Sequence, residues 1–444
     1  MTGALAAARA AIEAGDPAGA LDALEGLDPS EAVLALRADA AYRAGRFEAS
    51  LGAREALYSL QLGEGRTSDA ALTAATVAMH LLVDSGLMAA VRGWVAKAER
   101  VLDLDGDGGA EAAALIAAVR TYERLLSGDA PAAGRHAREA VALGTSLGFH
   151  PAVVMGRVAT ARLLTMDGRV DEGVALLDEV AADLMSGSHD PFLTGNMYCE
   201  LVCAAQALLL VDRAREWTDV MERWRRGVAY GGARGRCRVH RAEMLRIAGP
   251  AAAAEEEALA ACADLRPWMR RELGWPLAEL GNIRLRRGDL VGAEEAFLSA
   301  HARAWSAQPG LALLRMEQGE LAAAAELVAA EIESPMVLPW KERPLIAGLQ
   351  LVPLLEAQAE IAFAAGDAVV AAAAAGRLGS IAGRHATPGV RAAADLAAAR
   401  AAVLAGDPAG ATAAAGAALA GWVDLDAPYD AAAARVVLGH AWRL

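Results

Sequence analysis

Apolar and polar positions alternate with a helical period in the stretch LAELGNIRLRRGDLVGAEEAFLSAHARAWSAQP, Leu277 to Pro309. Leu277, Leu280 and Gly281 mark one face of a first helix. Ala293, Phe297 and Ala300 recur at spacings of four and three on a second, as a helix with one buried face requires. Between them Gly288 suits a left-handed C-cap, and Asp289 suits the N-cap that follows. The pattern predicts a helical hairpin. Small Gly281 and Ala293 let its two helices approach closely, and Phe297 fills the space that remains.

The same punctuation recurs at Gly15-Asp16, Gly45-Arg46, Gly86, Gly128-Asp129, Gly168-Arg169, Gly249, Gly288-Asp289, Gly319-Glu320, Gly366-Asp367 and Gly406-Asp407. Successive spacings are 30, 41, 42, 40, 81, 39, 31, 47 and 40. The gap of 81 fits two units with an eroded turn near Val211-Asp212. Pro151, Pro191, Pro276, Pro309, Pro344, Pro388 and Pro428 each stand near the start of a first helix, where a missing N–H costs nothing. About eleven hairpins are expected, each burying its apolar face against its neighbours.

The hairpin at Leu277–Pro309 resembles the tetratricopeptide repeat, whose pattern is W-x2-L-G-x2-Y, then A-x3-F, then P. Here it reads Leu277-x2-Leu280-Gly281-x2-Arg284, then Ala293-x3-Phe297, then Pro309. Leucine replaces the tryptophan, and an exposed arginine is expected where a packing ring is usual. The resemblance implies an all-α, tetratricopeptide-like right-handed solenoid. Hairpins over 1–102 would lead into a main superhelix over 110–444, with a soft joint near Asp103–Gly109. The second half, from about Ala204, has a narrower likeness. GRCRVHRAEMLRIAG (Gly235–Gly249), the Gly281 hairpin, QPGLALLRMEQGE (Gln308–Glu320) and LDAPYDAAAARVVLGHAW (Leu425–Trp442) resemble the helical-repeat region of actinobacterial LuxR-type transcriptional regulators, relatives of the maltotriose-dependent activator class. Members usually carry a C-terminal helix-turn-helix, and some an N-terminal ATPase. This sequence shows neither, so the resemblance implies a stand-alone sensor or a truncation at Leu444.

Composition agrees with thin helical layers. Of 444 residues 55% are hydrophobic but only 5% aromatic, and alanine, the best helix former, makes the difference. The net charge of −14 disfavours direct nucleic-acid binding. Four cysteines are too few for a disulfide framework, and a reducing cytoplasm fits. The N-terminus does not read as a signal peptide. Apolar runs such as Leu345–Leu355 are too short to span a bilayer.

The candidate chemistry is sparse. The phosphate-loop pattern needs a lysine among glycines, and neither Lys97 nor Lys341 has them. Gly144-Thr145-Ser146-Leu147-Gly148 matches G-x-S-x-G, but without the strand a nucleophile elbow needs; a glycine-capped helix end is the plainer reading. Asp103–Gly108 matches half a calcium loop and has Ala114 where the bidentate acid belongs. Cys199-x3-Cys203 and Cys237-x2-His240 could together offer four zinc ligands, although buried free cysteine is the commoner case. No catalytic residue, metal or cofactor is therefore assigned.

The strongest local signal is a charge reversal. Arg213–Arg287 holds 16 arginines against 10 acids, and five of the nine tryptophans lie in or near it. Arginine binds carboxylate and phosphate in planar geometry, and tryptophan offers contact area with little entropy loss. The expected ligand-binding residues are Arg234, Arg238, Arg241, Trp217, Trp224, Trp275, Arg284 and Arg287, lining a central concave groove. The partner would be a protein or peptide, or a small acidic effector. The alternative is that these arginines are solvated or ion-paired and the tryptophans fill gaps that alanine leaves.

Overall fold

The computed structural model describes residues 2–103, 109–186, 190–228, 231–266, 272–336 and 348–444, without the side chains of 225–228 and 231–234. Among them are 23 α-helices and no strand. They follow one another as hairpins: α1 (Thr2–Glu13) with α2 (Pro17–Ala23), α3 (Glu31–Arg43) with α4 (Phe47–Gly63), α5 (Thr67–His80) with α6 (Met88–Leu102), and α7 (Ala110–Leu126) with α8 (Ala130–Leu147). Then come α9 (His150–Met166) with α10 (Val170–Met185), α11 (Pro191–Ala207) with α12 (Val211–Val228), α13 (Gly231–Ala248) with α14 (Ala251–Leu265), and α15 (Gly274–Arg286) with α16 (Leu290–His301). The last are α17 (Gly310–Glu317) with α18 (Leu321–Glu333), α19 (Val352–Ala365) with α20 (Ala368–Arg384), α21 (Pro388–Leu404) with α22 (Pro408–Asp424), and α23 (Pro428–Ala441). Eleven hairpins and one further helix answer the repeat count read from the punctuation. No helix of the described residues is long and apolar enough to cross a membrane.

The packing divides the chain into two compact units. One comprises Met1–Leu163, Gly173–Tyr198 and Arg223–Arg234; the other comprises Leu164–Glu172, Cys199–Glu222 and Gly235–Leu444. In each, a helix packs on its hairpin partner, and first helices of successive hairpins also touch, as α5 does α7 in the first unit and α19 does α21 in the second. This is the nearest-neighbour packing of a solenoid.

The turn chemistry follows the sequence closely. Nine of the ten punctuating glycines have positive φ; Gly249 does not. Asp16, Asp129, Asp289, Asp367 and Asp407 each cap the next helix through a side-chain oxygen, which satisfies backbone N–H groups that the helix leaves free. The eroded turn is real: α11 ends and α12 begins around Leu209, which takes φ 50°. Leucine is costly there because its Cβ crowds the backbone. The strain is held by tertiary contact. The Thr387 hydroxyl donates to the Leu208 carbonyl at 2.6 Å, and Gly389 packs so closely that an added Cβ would lie 2.4 Å from the Leu209 carbonyl oxygen.

Alanine forms the interface between most helices. Ala242, Ala254, Ala258 and Ala296 pack with Leu280 and Ile283 in one buried cluster. The α15–α16 hairpin has the expected wedge. Phe297 is fully buried; a Cβ on Gly281 or on Gly310 would come within 2.4 Å of its ring. Arg284 departs from expectation. Its side chain is only 22% exposed, because its Nε donates to Glu255 on α14 at 2.9 Å and an Nη to the Gly292 carbonyl. An ion pair stands where the repeat usually has a ring.

In the second unit the chain returns on itself. Arg384 donates to the Met166 carbonyl at 2.7 Å, and Arg286 of α15 pairs with Asp430 of α23 at 3.2 Å. Arg286 also lies over the Tyr429 ring, and Arg400 pairs with Glu360 at 3.0 Å. Burial, aided by the charge of Asp430, pushes the Glu356 carboxyl up to about 8 against the pull of Arg400.

Two outcomes are expected. Phe297→Ala should cost about 3–5 kcal/mol, the usual loss on emptying a buried aromatic site; melting within a degree of wild type would contradict it. Glu356 holds its proton more tightly folded than unfolded, so its contribution is full below the ordinary glutamate value and is lost as pH rises through about 8. Glu356→Gln should therefore melt higher than wild type at pH 8 and equally at pH 4. Parallel loss of melting temperature in both proteins across that range would refute the assignment.

Candidate functional site

The arginines singled out by charge are all on or beside α13 and α15. Arg238 of α13 donates to Asp264 at 2.8 Å and to Glu257 at 2.9 Å, both on α14. Arg241 reaches Glu222 of α12 at 3.1 Å and Glu257 at 3.7 Å. Arg287 pairs with Glu255, which Arg284 also holds. The structure thus brings Arg238 and Arg241 together through Glu257, and Arg284 and Arg287 through Glu255. The side chain of Arg234 lies outside the described residues. Four guanidinium groups meet four carboxylates, so little net positive field is left. Partly exposed pairs of this kind contribute about 0–1 kcal/mol each.

The tryptophans are mostly interior. Trp217 is buried, and Trp224 is half-buried beside the Tyr198 ring. Trp275 is buried, stacks on Trp305 and meets the His240 ring edge-on at 4.8 Å. Trp268 lies outside the described residues, as does most of the acidic run after Asp103. Ser146, of the G-x-S-x-G match, sits in the last turn of α8 and donates to the Leu143 carbonyl at 2.9 Å. That run is a helix end, closed by Gly148 in the left-handed region.

The sharpest chemistry of the second unit is a buried group of thiols and an imidazole. Cys199 and Cys203, four apart, share one face of α11; His240 comes from α13. The Cys199 Sγ is 3.1 Å and the Cys203 Sγ 3.8 Å from His240 Nε2, and all three ligand atoms lie within 4.8 Å of one another. Each residue is at most 3% exposed. Cys237, the fourth candidate ligand, is buried but is not in this group. Three of the four residues paired by spacing therefore converge.

A polar relay stands behind the imidazole. His240 Nδ1 is 3.0 Å from Gln206 Oε1. The Gln206 amide nitrogen donates to Glu243 at 2.6 Å, and the Trp275 indole N–H donates to the same carboxylate at 3.0 Å. A carboxylate only accepts, so it takes the amide nitrogen of Gln206 and leaves the amide oxygen for His240. That oxygen accepts the Nδ1 proton, and Nε2 is aimed at the sulfurs. Gln206 and Glu243 escaped the reading of the sequence, though each stands three residues beyond a ligand, on the same helix face.

The electrostatics follow from this packing. The Cys203 thiol beside it, and the imidazole opposite, hold the Cys199 thiol well below its usual range against burial. Burial and the adjacent Cys199 charge push Cys203 well above it. For His240, burial works downward, but the Cys199 charge, the contact with its sulfur and the Glu243 carboxylate 3.7 Å from Nδ1 raise it to about 10. Cys262, on α14, shows the ordinary case, pushed up to about 11 by burial.

No family model matches the chain, and no curated protein matches it in sequence. Among solved structures it is similar to a chain of the APC/C hetero-tetramer Cut9–Hcn1, at 13% identity and a TM-score of 0.40, over 99% of this chain and 89% of that one. It is also similar to a monomeric mutant of IFIT1 with m7Gppp-AAAA, at 15% identity and a TM-score of 0.40, over 98% of this chain and 95% of that one. Likenesses of that degree carry no conclusion about what this chain does.

The relay makes one prediction. Trp275→Phe removes a donor from Glu243 while keeping most of the ring. It should destabilise the fold by about 1–3 kcal/mol, the usual worth of a hydrogen bond to a charged, partly buried acceptor. Denaturant unfolding of the variant with an unchanged midpoint would show that the indole N–H is dispensable.

Proposed function

We propose that this chain is a helical-repeat binding module without catalytic activity of its own, engaging a protein or peptide partner through the surface of α12–α15. The observation that carries this reading is the ladder of partly exposed ion pairs across those helices. Arg238, Arg241, Arg284 and Arg287 are held in fixed orientations by Glu222, Glu255, Glu257 and Asp264. Tandem hairpins present such side chains in register, and solenoids bind along surfaces of this kind. An acidic partner segment, or a small acidic effector, would bind by exchange, taking over guanidinium groups from their own carboxylates. Preorganised arginines favour such exchange because little side-chain entropy is left to lose.

The resemblance of the second half to LuxR-type regulators supports a cytoplasmic, bacterial setting, with this chain as the sensing part of a transcriptional regulator. DNA contact would belong to another domain. A free-standing scaffold is the second reading. A helix-turn-helix reading frame joined to the parent gene favours the first, and its absence the second.

The test begins with a partner identified by crosslinking in the source cell and an affinity measured by calorimetry at two salt concentrations. Arg238→Glu with Arg284→Glu should weaken binding by about tenfold or more, about 1.4 kcal/mol. Arg391→Glu with Arg435→Glu, both exposed in the C-terminal hairpins, should leave it unchanged. Equal damage from the two pairs would remove α12–α15 from the interface.

A further inference from the structure

The thiol and imidazole group has three properties of a built coordination site. The first is spacing. Metal–sulfur bonds of about 2.3 Å and metal–nitrogen bonds of about 2.0–2.1 Å set sulfur and nitrogen about 3.6 Å apart around a tetrahedral ion. The observed separations of 3.1 and 3.8 Å bracket that value. The second is the imidazole's orientation. Ligating histidines donate their other N–H to a carboxylate or carbonyl that fixes the ring. His240 does this to Gln206, itself anchored by Glu243. The third is burial, with Cys199 and Cys203 each 3% exposed. A substrate cannot reach either sulfur, so the Cys–His pair is no nucleophile for external molecules, whereas an ion needs only to be enclosed.

We propose that Cys199, Cys203 and His240 form a binding site for a thiophilic d10 cation, zinc(II) or copper(I). The donor set of two sulfurs and one imidazole selects such ions over calcium or magnesium, which take oxygen ligands. The ion joins α11 to α13, the first helices of two consecutive hairpins, and stabilises the fold by linkage. This site is independent of the ion-pair ladder assigned to partner binding: no residue belongs to both.

The test uses the full chain, reduced and stripped with chelator. Titration with cobalt(II), a spectroscopic stand-in for zinc, should give thiolate charge-transfer absorption that saturates at one ion per chain and is abolished by zinc. In the copper arm, the chain should take copper(I) from bicinchoninate. At least one arm must succeed. Cys203→Ser and His240→Gln should lower the affinity of the successful ion by more than about tenfold. Gln206→Leu contacts no ion and should lower it by about 10- to 100-fold, the usual effect of an outer partner. It also serves if a ligand variant fails to fold, which circular dichroism will show. Cys262→Ser, on α14 outside the group, should bind as wild type. The proposal is overturned if neither ion binds the wild-type chain, or if Gln206→Leu and every folded ligand variant keep wild-type affinity.

Discussion

Close approach of helices on alanine and glycine faces is the constraint on which the rest of this structure depends. A pair such as Ala254 and Ala258 against Ala242 buries little side chain, so each interface is thin. Two consequences follow. Some large side chains sit against a glycine, as Phe297 fits between Gly281 and Gly310 and Trp305 lies against Gly274. And backbones lie near enough that polar side chains from successive first helices meet directly. The interior is consequently polar in places where a thicker apolar core would keep such groups apart.

That polar interior must be satisfied, since an unpaired buried charge is far more costly than a buried pair. The chain meets the requirement by pairing across hairpins. Arg236 and Glu272 form a buried ion pair with contacts of 2.6 and 3.1 Å. Arg246 pairs with Glu279, and Arg286 with Asp430. Such pairs add little net stability, but a hairpin shifted along its neighbour would leave several charges without partners.

Much of this was legible in sequence and some was not, for physical reasons. Helix ends were readable because glycine and aspartate act locally, within a turn of where they stand. The Leu209 turn was located only by the length of the gap, because what holds it, Thr387 and Gly389, is about 180 residues away. Composition placed positive charge at α12–α15, but charge counting cannot see that Glu255 and Glu257 stand opposite the arginines. Arg286, left out of the expected groove, reaches Asp430, while Arg284 and Arg287 turn toward α14. Cys199-x3-Cys203 and Cys237-x2-His240 were visible as pairs. Which of the four converge depends on the rotation of α11 against α13, and no local pattern encodes that.

The return of the C-terminal hairpins bears on where a partner can act. In the second unit the first-helix side of α15 is occupied by α23, through Asp430 and the Tyr429 ring lying against Arg286. Thr387 and Arg384 occupy the α11–α12 turn and the end of α9 in the same way. A ligand seeking that side would first have to displace contacts made by the chain itself, among them the buried Thr387–Leu208 hydrogen bond. On the proposed surface over α12–α15, an incoming carboxylate can replace an outgoing one without leaving a guanidinium bare. Exchange of like for like keeps the desolvation cost low at every step. In the proposed mode of binding, such exchange would make recognition depend on partner geometry more than on net charge.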